Sequence, residues 1–367
     1  MKTFADGLAR RQDNFLLLRF LAASMVIYGH SYALSAMQKQ DIFVRAGWGT
    51  YSGTIAVDMF FAVSGFLVTG SLVRRSNVIS FIVARALRLL PAYAVCLALC
   101  AFVFGSLLTT LPLHDYLQHP DTLAYFTGNL GLHNLRWDLP GVFAGNARPG
   151  TVNGSIWTLP AEASMYLWLA ALGLFGIFKK RWLASGVLIA LTILGCMYWL
   201  RVPMLVHNAD YVRFAALFVL GSFCYMQRDR IPLGHGWMLA LVLLAYFTHG
   251  SGFFVYALAL AEAYFCFWFA YCITWHGFNR FGDYSYGIYL WGFPCQQFVV
   301  TLLDNPRPSQ ITLCAFPLVL TIAIVSWHGL EQPALRLKDW QLWNKLGISR
   351  AKPAAVPAVN PDSADAV

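Results

Sequence analysis

Apolar residues in this chain come in blocks of about twenty, and that feature leaves few folds open. At ~1.5 Å per residue, a twenty-residue helix crosses the ~30 Å hydrocarbon core of a bilayer. Lipid offers no hydrogen-bond partner to an open sheet edge, so helices are the expected spans. Composition points the same way: of 367 residues, 58% are hydrophobic and 12% charged, and mean hydropathy is +0.56. That is too little charge to cover a soluble surface of this size. The expected fold class is all-α, a polytopic integral membrane bundle of about ten transmembrane helices. The expected spans are 15–35, 54–73, 89–111, 155–178, 182–200, 212–227, 232–250, 253–275, 282–303 and 311–330. The stretch from Asn14 carries an arginine and no small-residue cleavage site, so it reads as a retained first helix, not a signal peptide.

Lysine and arginine set the orientation. With the N-terminus inside, 18 of the 26 basic residues fall on the inner side, seven on the outer side, and one, Arg19, within the first span. Both termini are therefore expected to be cytoplasmic. The net charge of +9 is a topology signal, and nucleic acid is not an expected partner, because the basic residues sit in short links between spans. The chain divides into a cytoplasmic N-terminus (1–14), a membrane domain (15–338) and a cytoplasmic tail (339–367) expected to be disordered from about residue 351. The longest outer link, about 112–154, is rich in Pro, Gly, His and Asn. All eight cysteines fall within expected spans without ligand spacing, so neither disulfides nor a metal is expected.

An ionisable residue inside a span is costly, and by default marks function. Arg19 and His30 in the first span, Asp58 in the second and Glu162 in the fourth stand out, with Glu262 in the eighth as a fifth. Ten residues separate Arg19 from His30; over eleven steps of ~100° each they return to one helix stripe, about 16 Å apart along the axis. Counting from the span ends places Arg19 near the cytoplasmic mouth. The same count brings His30, Asp58 and Glu162 to similar depth in the outer half. A histidine beside a carboxylate suits general-base chemistry. An arginine near the inner mouth suits an anionic cosubstrate, because guanidinium binds phosphate with two parallel bonds; Arg85 and Arg88 can add to that site. Each residue also has a structural reading: a snorkelling Arg19, a hydrogen-bonded bundle histidine, helix caps at Asp58 and Glu162, and interfacial anchors at Arg85 and Arg88.

At these residues the sequence resembles the membrane acyltransferase 3 family, whose members O-acylate sugars of polysaccharides, lipopolysaccharide and Nod factors. Its Arg-X10-His signature is similar to RFLAASMVIYGH, Arg19 to His30. VDMFFAVSGFL (Val57–Leu67), SFIVARALRLLPAY (Ser80–Tyr93), NGSIWTLPAEASMY (Asn153–Tyr166), YSYGIYLWGFP (Tyr284–Pro294) and HGLEQPALRL (His328–Leu337) resemble further family blocks in order. The NGS-WTLP variant resembles the exopolysaccharide-modifying type. Two departures stand out. Gly292 occupies a position where many members have histidine, and no SGNH-hydrolase-like domain follows, so a separate partner is the expected alternative to transfer by the membrane domain alone.

The resemblance implies a multi-pass protein of the bacterial inner (plasma) membrane. It implies an O-acyltransferase using acyl-CoA, acetyl-CoA above all, as cosubstrate, with no permanently bound cofactor and no metal. The acceptor is a saccharide, lipid-linked or extracytoplasmic and of the exopolysaccharide kind; polysaccharide-assembly proteins are expected partners. The expected catalytic residues are His30, Glu162 and Asp58. Arg19, Arg85 and Arg88 are expected to bind acyl-CoA, and Trp157, Tyr93, Tyr166 and Asn153 to line the substrate pocket. The competing reading is a proton-coupled transporter of a saccharide or organic acid, with Asp58, Glu162 and His30 as the relay.

Overall fold

The structure, a computed structural model, describes residues 2–337 apart from 11, 76, 197–209 and 304. The end of the expected fifth span and the expected tail, 339–367, lie outside the described residues. Among the described residues the chain is helical, and its only β contacts are the isolated bridges Thr3–Pro232, Thr109–Val142 and Asp138–Thr151. Helices coincide with all ten expected segments, numbered here α1 (Phe15–Leu34), α2 (Ser52–Arg75), α3 (Val78–Leu99), α4 (Leu159–Leu174), α5 (Arg181–Cys196), α6 (Asp210–Met226), α7 (His235–Thr248), α8 (Phe254–Cys272), α9 (Ser285–Leu302) and α10 (Pro308–Ser326). Shorter helices carry only their residue ranges.

Five described helices are long and apolar enough to cross a membrane: α1, α2, α3 continued to Leu108, α8, and α10 continued to Arg336. The other five expected spans fall short of that measure. Helices α4, α5, α6 and α7 have 14 to 17 residues. Helix α9 carries Gln296 and Gln297, both fully buried. The shortness of α4 has a local cause. The chain ahead of it enters the bundle before turning helical: Asn153 accepts from the Ser155 amide at 3.0 Å and donates to the Leu290 carbonyl at 2.9 Å. Residues Gly154–Thr158 then form a 3-10 turn.

Two ends of the bundle can be told apart. Helices α1 and α9 run parallel, because Arg19 meets Asp283 just before α9 while Ser31 and the Ile27 carbonyl accept from Gln296 one to two turns from its end. One end is thus marked by Arg19 and the other by His30. The N-terminal segment and the links after α6 and α8 meet one another: Leu233 donates to the Lys2 carbonyl, Ala5 to that of Arg228, and the Asn279 side chain to that of Asp13. Arg181, at the start of α5, pairs with Asp229 in the same group at 2.7 Å. The long link caps the His30 end, where Gln297 donates to the Arg148 and Thr151 carbonyls at 2.8 and 2.7 Å.

Helices α2 and α6 approach closely enough to require glycine on both. A Cβ at Gly65 would overlap the Phe218 carbonyl oxygen, and one at Gly221 would overlap that of Ala62. Small residues at such crossings let backbones touch where lipid supplies no hydrophobic drive between helices. Phe61 and Phe214 stack beside the crossing at 4.5 Å between centroids. Gly65→Val is expected to destabilise the fold by more than the ~1–3 kcal/mol of ordinary overpacking, because backbone must move. Thermal unfolding in detergent and the amount of folded protein in membranes measure this; a wild-type unfolding temperature would contradict the α2–α6 contact.

Candidate active site

Three arginines, far apart in the sequence, open into one cavity. Arg19 comes from the first turns of α1, and Arg85 and Arg88 lie on one face of α3, three residues apart. The cavity they share has a volume of about 110 Å3 and opens to the outside. Its other walls carry Glu162 and Tyr166 from α4, Ser285, Tyr286 and Tyr289 from α9, and an apolar side from α2 that includes Val57, Phe60, Phe61 and Leu67. A cationic end against an apolar, aromatic wall suits a ligand with an anionic head and an apolar arm.

The arginines are not equivalent. Asp283 Oδ2 accepts from Arg19 Nη1 at 2.5 Å and from Arg88 Nη2 at 2.7 Å. Arg88 Nη1 also reaches Glu331 Oε2 at 3.3 Å, and its guanidinium lies 5.5 Å from the Tyr286 ring centre and 5.7 Å from that of Trp327. Glu331 is itself held by the Ser326 hydroxyl at 2.9 Å. Arg85 is different. It lies 5.8 Å over the Tyr166 ring, its Nε is buried without a partner, and among the described residues it makes no hydrogen bond or ion pair. A buried donor left unmade costs about 1–3 kcal/mol, more for a charged group, so Arg85 is the guanidinium in want of an anion.

The cavity, its arginines and the motif order point to one family. The acyltransferase 3 family, an acyltransferase domain, matches residues 13–328. The chain belongs to it. Two curated relatives cover most of its length. An O-acetyl transferase of Shigella phage Sf6 is 26% identical over 341 residues, 88% of this chain and 96% of that protein. Nodulation protein 10 of Rhizobium leguminosarum bv. viciae is 27% identical over 378 residues, 92% of this chain and 97% of that protein. No solved structure matches. The protein is thus a membrane O-acyltransferase.

Within this acyltransferase the residues singled out from the sequence divide into three places. Arg19, Arg85, Arg88, Glu162 and Tyr166 share the cavity. Glu162 therefore does not stand beside His30 as the span count suggested. The chain before α4 is folded into a 3-10 turn, and Glu162 falls in the first turn of the helix behind it. Its carboxylate accepts from the Tyr166 hydroxyl one turn on, and an acid at a helix start is favoured by the helix dipole.

His30 lies at the other end of α1, buried, with its ring edge-on to Phe293 at 5.2 Å between centroids and its Nδ1 without a hydrogen-bond partner. Gly292, next to Phe293, has Ile27 beside it, so a side chain there would crowd α1. Asp58 occupies a third place: it is buried, with Oδ1 3.3 Å from Arg213 Nε. His30, Asp58 and Glu162 form no common hydrogen-bonded relay among the described residues.

Trp157, Tyr93 and Asn153 are engaged in packing outside the arginine cavity. Trp157 stacks on Tyr211 at 6.1 Å and its carbonyl accepts from the Tyr211 hydroxyl. Tyr93 is fully buried and donates to the Asn129 carbonyl at 2.9 Å, fixing the long link to α3. Asn153 caps the 3-10 turn as described. Two acids complete the site, Asp283 and Glu331, which the intramembrane-charge criterion does not pick out. The available signal was their position: Asp283 immediately precedes the YSYGIYLWGFP block and Glu331 lies within HGLEQPALRL, in a chain with only 17 acidic residues.

Proposed function

We propose that this O-acyltransferase moves an acetyl group from cytoplasmic acetyl-CoA to a hydroxyl of a saccharide, lipid-linked or extracytoplasmic, of the exopolysaccharide kind. The supporting observation is the convergence of Arg19, Arg85 and Arg88 on one cavity with an apolar wall. In this reading the chain has about ten spans in a bacterial inner membrane, with the Arg19 end and both termini cytoplasmic. The basic links gather on that side, as the positive-inside rule requires.

The arginines hold the phosphates of acyl-CoA, and the pantetheine arm runs along α1 toward His30. The two marks are separated by about 16 Å of helix, a distance an extended arm rather than a compact head must cover. His30 takes the proton from the acceptor hydroxyl as its oxygen attacks the thioester carbonyl. The carbon–sulfur bond breaks, and the CoA thiolate leaves and collects a proton. Direct transfer is the simpler course; a transient acyl group on His30 splits the same chemistry into two steps. Glu162 and Tyr166 act at the arginine end, where their hydrogen bond sets the ring on which Arg85 rests.

Membranes containing the protein are expected to release CoA from acetyl-CoA, faster when a saccharide acceptor is supplied, and to place radiolabelled acetyl on that acceptor. Labelled acetyl-CoA that is neither consumed nor transferred, with a range of lipid-linked and free saccharides present, would argue against the donor or the acceptor class.

A further inference from the structure

We propose that Asp283 is a positioning residue for acyl transfer: it fixes Arg19 and Arg88 in the geometry that receives the anionic head of the cosubstrate. The inference rests on the reading of the arginine cavity as the acyl-CoA site.

The geometry is unusually constrained. Two guanidinium groups, one on α1 and one on α3, converge on a single carboxylate oxygen, at 2.5 and 2.7 Å. Without that oxygen the two cations would face each other at close range and swing apart. The carboxylate is itself held, because its other oxygen accepts from the Ser285 hydroxyl at 2.6 Å. Asp283 and the arginine side chains are largely buried, Arg19 least so at 25% exposed. Each arginine gives Asp283 one terminal nitrogen and keeps other N–H groups of its planar fork. The acid therefore holds both guanidinium groups at the cavity wall with N–H groups left over, Arg88 also giving Nη1 to Glu331. Glu331 does less, since it reaches Arg88 alone, and at a longer 3.3 Å.

The alternative is that Asp283 competes with the ligand for the arginines. The two roles predict opposite signs. As a positioning residue, Asp283→Asn raises KM for acetyl-CoA about tenfold, the scale of one charge-assisted hydrogen bond, with kcat within roughly twofold of wild type. Asp283→Glu restores part of the loss, and Glu331→Gln raises KM by only about threefold, because Arg88 keeps Asp283.

The experiment uses the full chain purified in detergent, with CoA binding by calorimetry and acetyl-CoA turnover measured on the same samples, and thermal unfolding as a check of the fold. A KM for Asp283→Asn that is unchanged or lowered, or a fall in kcat at constant KM, overturns the proposal. If Asp283→Asn does not accumulate, Asp283→Glu decides, since it keeps the charge and displaces the oxygen by one methylene. Raised KM at near-normal kcat then supports the positioning role, and normal KM overturns it. Arg85→Ala separates the two levels of inference. Weakened CoA binding in Arg85→Ala together with normal binding in Asp283→Asn rejects the role of Asp283 alone. CoA binding indifferent to Arg85, Arg19 and Arg88 rejects the site, and Asp283 with it.

Discussion

Turnover by the His30→Gln variant is expected to fall about 10²–10⁴-fold, the range supplied by a positioned general base or acid, while binding of acetyl-CoA stays near wild type. Glutamine keeps a polar side chain of similar reach but has no nitrogen that takes up a proton at neutral pH. The fold should tolerate the change. His30 Nδ1 has no hydrogen-bond partner to lose, and the ring touches Phe293 edge-on. A histidine kept for structure would be tied to a carbonyl or a carboxylate, as buried polar groups are. The separation between kcat and affinity follows from place. His30 does not line the arginine cavity, so the phosphates of the cosubstrate should bind as before. Transfer of labelled acetyl to acceptor, normalised to protein in the membrane, measures the first quantity, and calorimetry with CoA measures the second. Substantial transfer by a well-expressed His30→Gln variant would remove the histidine from the chemistry.

Much of the fold is written in a single periodicity. Helices lie where the apolar blocks lie, because a twenty-residue apolar run in a chain this poor in charge has no other way to satisfy its backbone. What span counting does not capture is where a helix begins relative to the bundle. The chain ahead of α4 is pinned by Asn153 to the Leu290 carbonyl and by Tyr211 to the Trp157 carbonyl. These are long-range contacts that leave no trace in local hydropathy. Span counting therefore does not show that Glu162 shares a cavity with Arg19. Its partnership with Tyr166 on the next turn follows ordinary helical spacing.

The arginine set was legible in part. Arg19, Arg85 and Arg88 were singled out by type and by nearness to one end, and they share a cavity. Which of them is neutralised was not legible. That depends on Asp283, 264 residues from Arg19 and 195 from Arg88, and on Glu331, brought in by the segment after α10. Asp58 and Glu262 show the same limit. Both are buried carboxylates as expected of intramembrane acids, but the cation facing Asp58 is Arg213, in the first turn of α6 and far away in the sequence.

The uneven pairing of the arginines leads to the second large effect. Arg85→Ala is expected to weaken acetyl-CoA binding by roughly tenfold to a hundredfold, the equivalent of ~1.5–3 kcal/mol for a charge-assisted hydrogen bond. The argument is one of charge compensation. Arg19 and Arg88 are already balanced by Asp283, and Arg88 by Glu331 as well, so an incoming phosphate adds less to either of them than to an unpaired guanidinium. Arg85 has no such obligation among the described residues: the Tyr166 ring supports one face, and its buried Nε is unpaired. An anion arriving there gains a full charge-assisted bond and relieves an unmet donor at once. Arg85→Lys should recover only part of the affinity, since an ammonium keeps the charge but loses the two-pronged geometry and stacks less well on the ring. Tyr166→Phe keeps the ring and removes the hydroxyl held by Glu162, so its effect should be smaller than that of Arg85→Ala. Raising the salt concentration should weaken the wild type more than the alanine variant. Calorimetry with CoA across the four proteins reads all of these. Wild-type affinity in Arg85→Ala, with binding lost in Arg19→Ala, would move the phosphate site from the unpaired arginine to the paired ones.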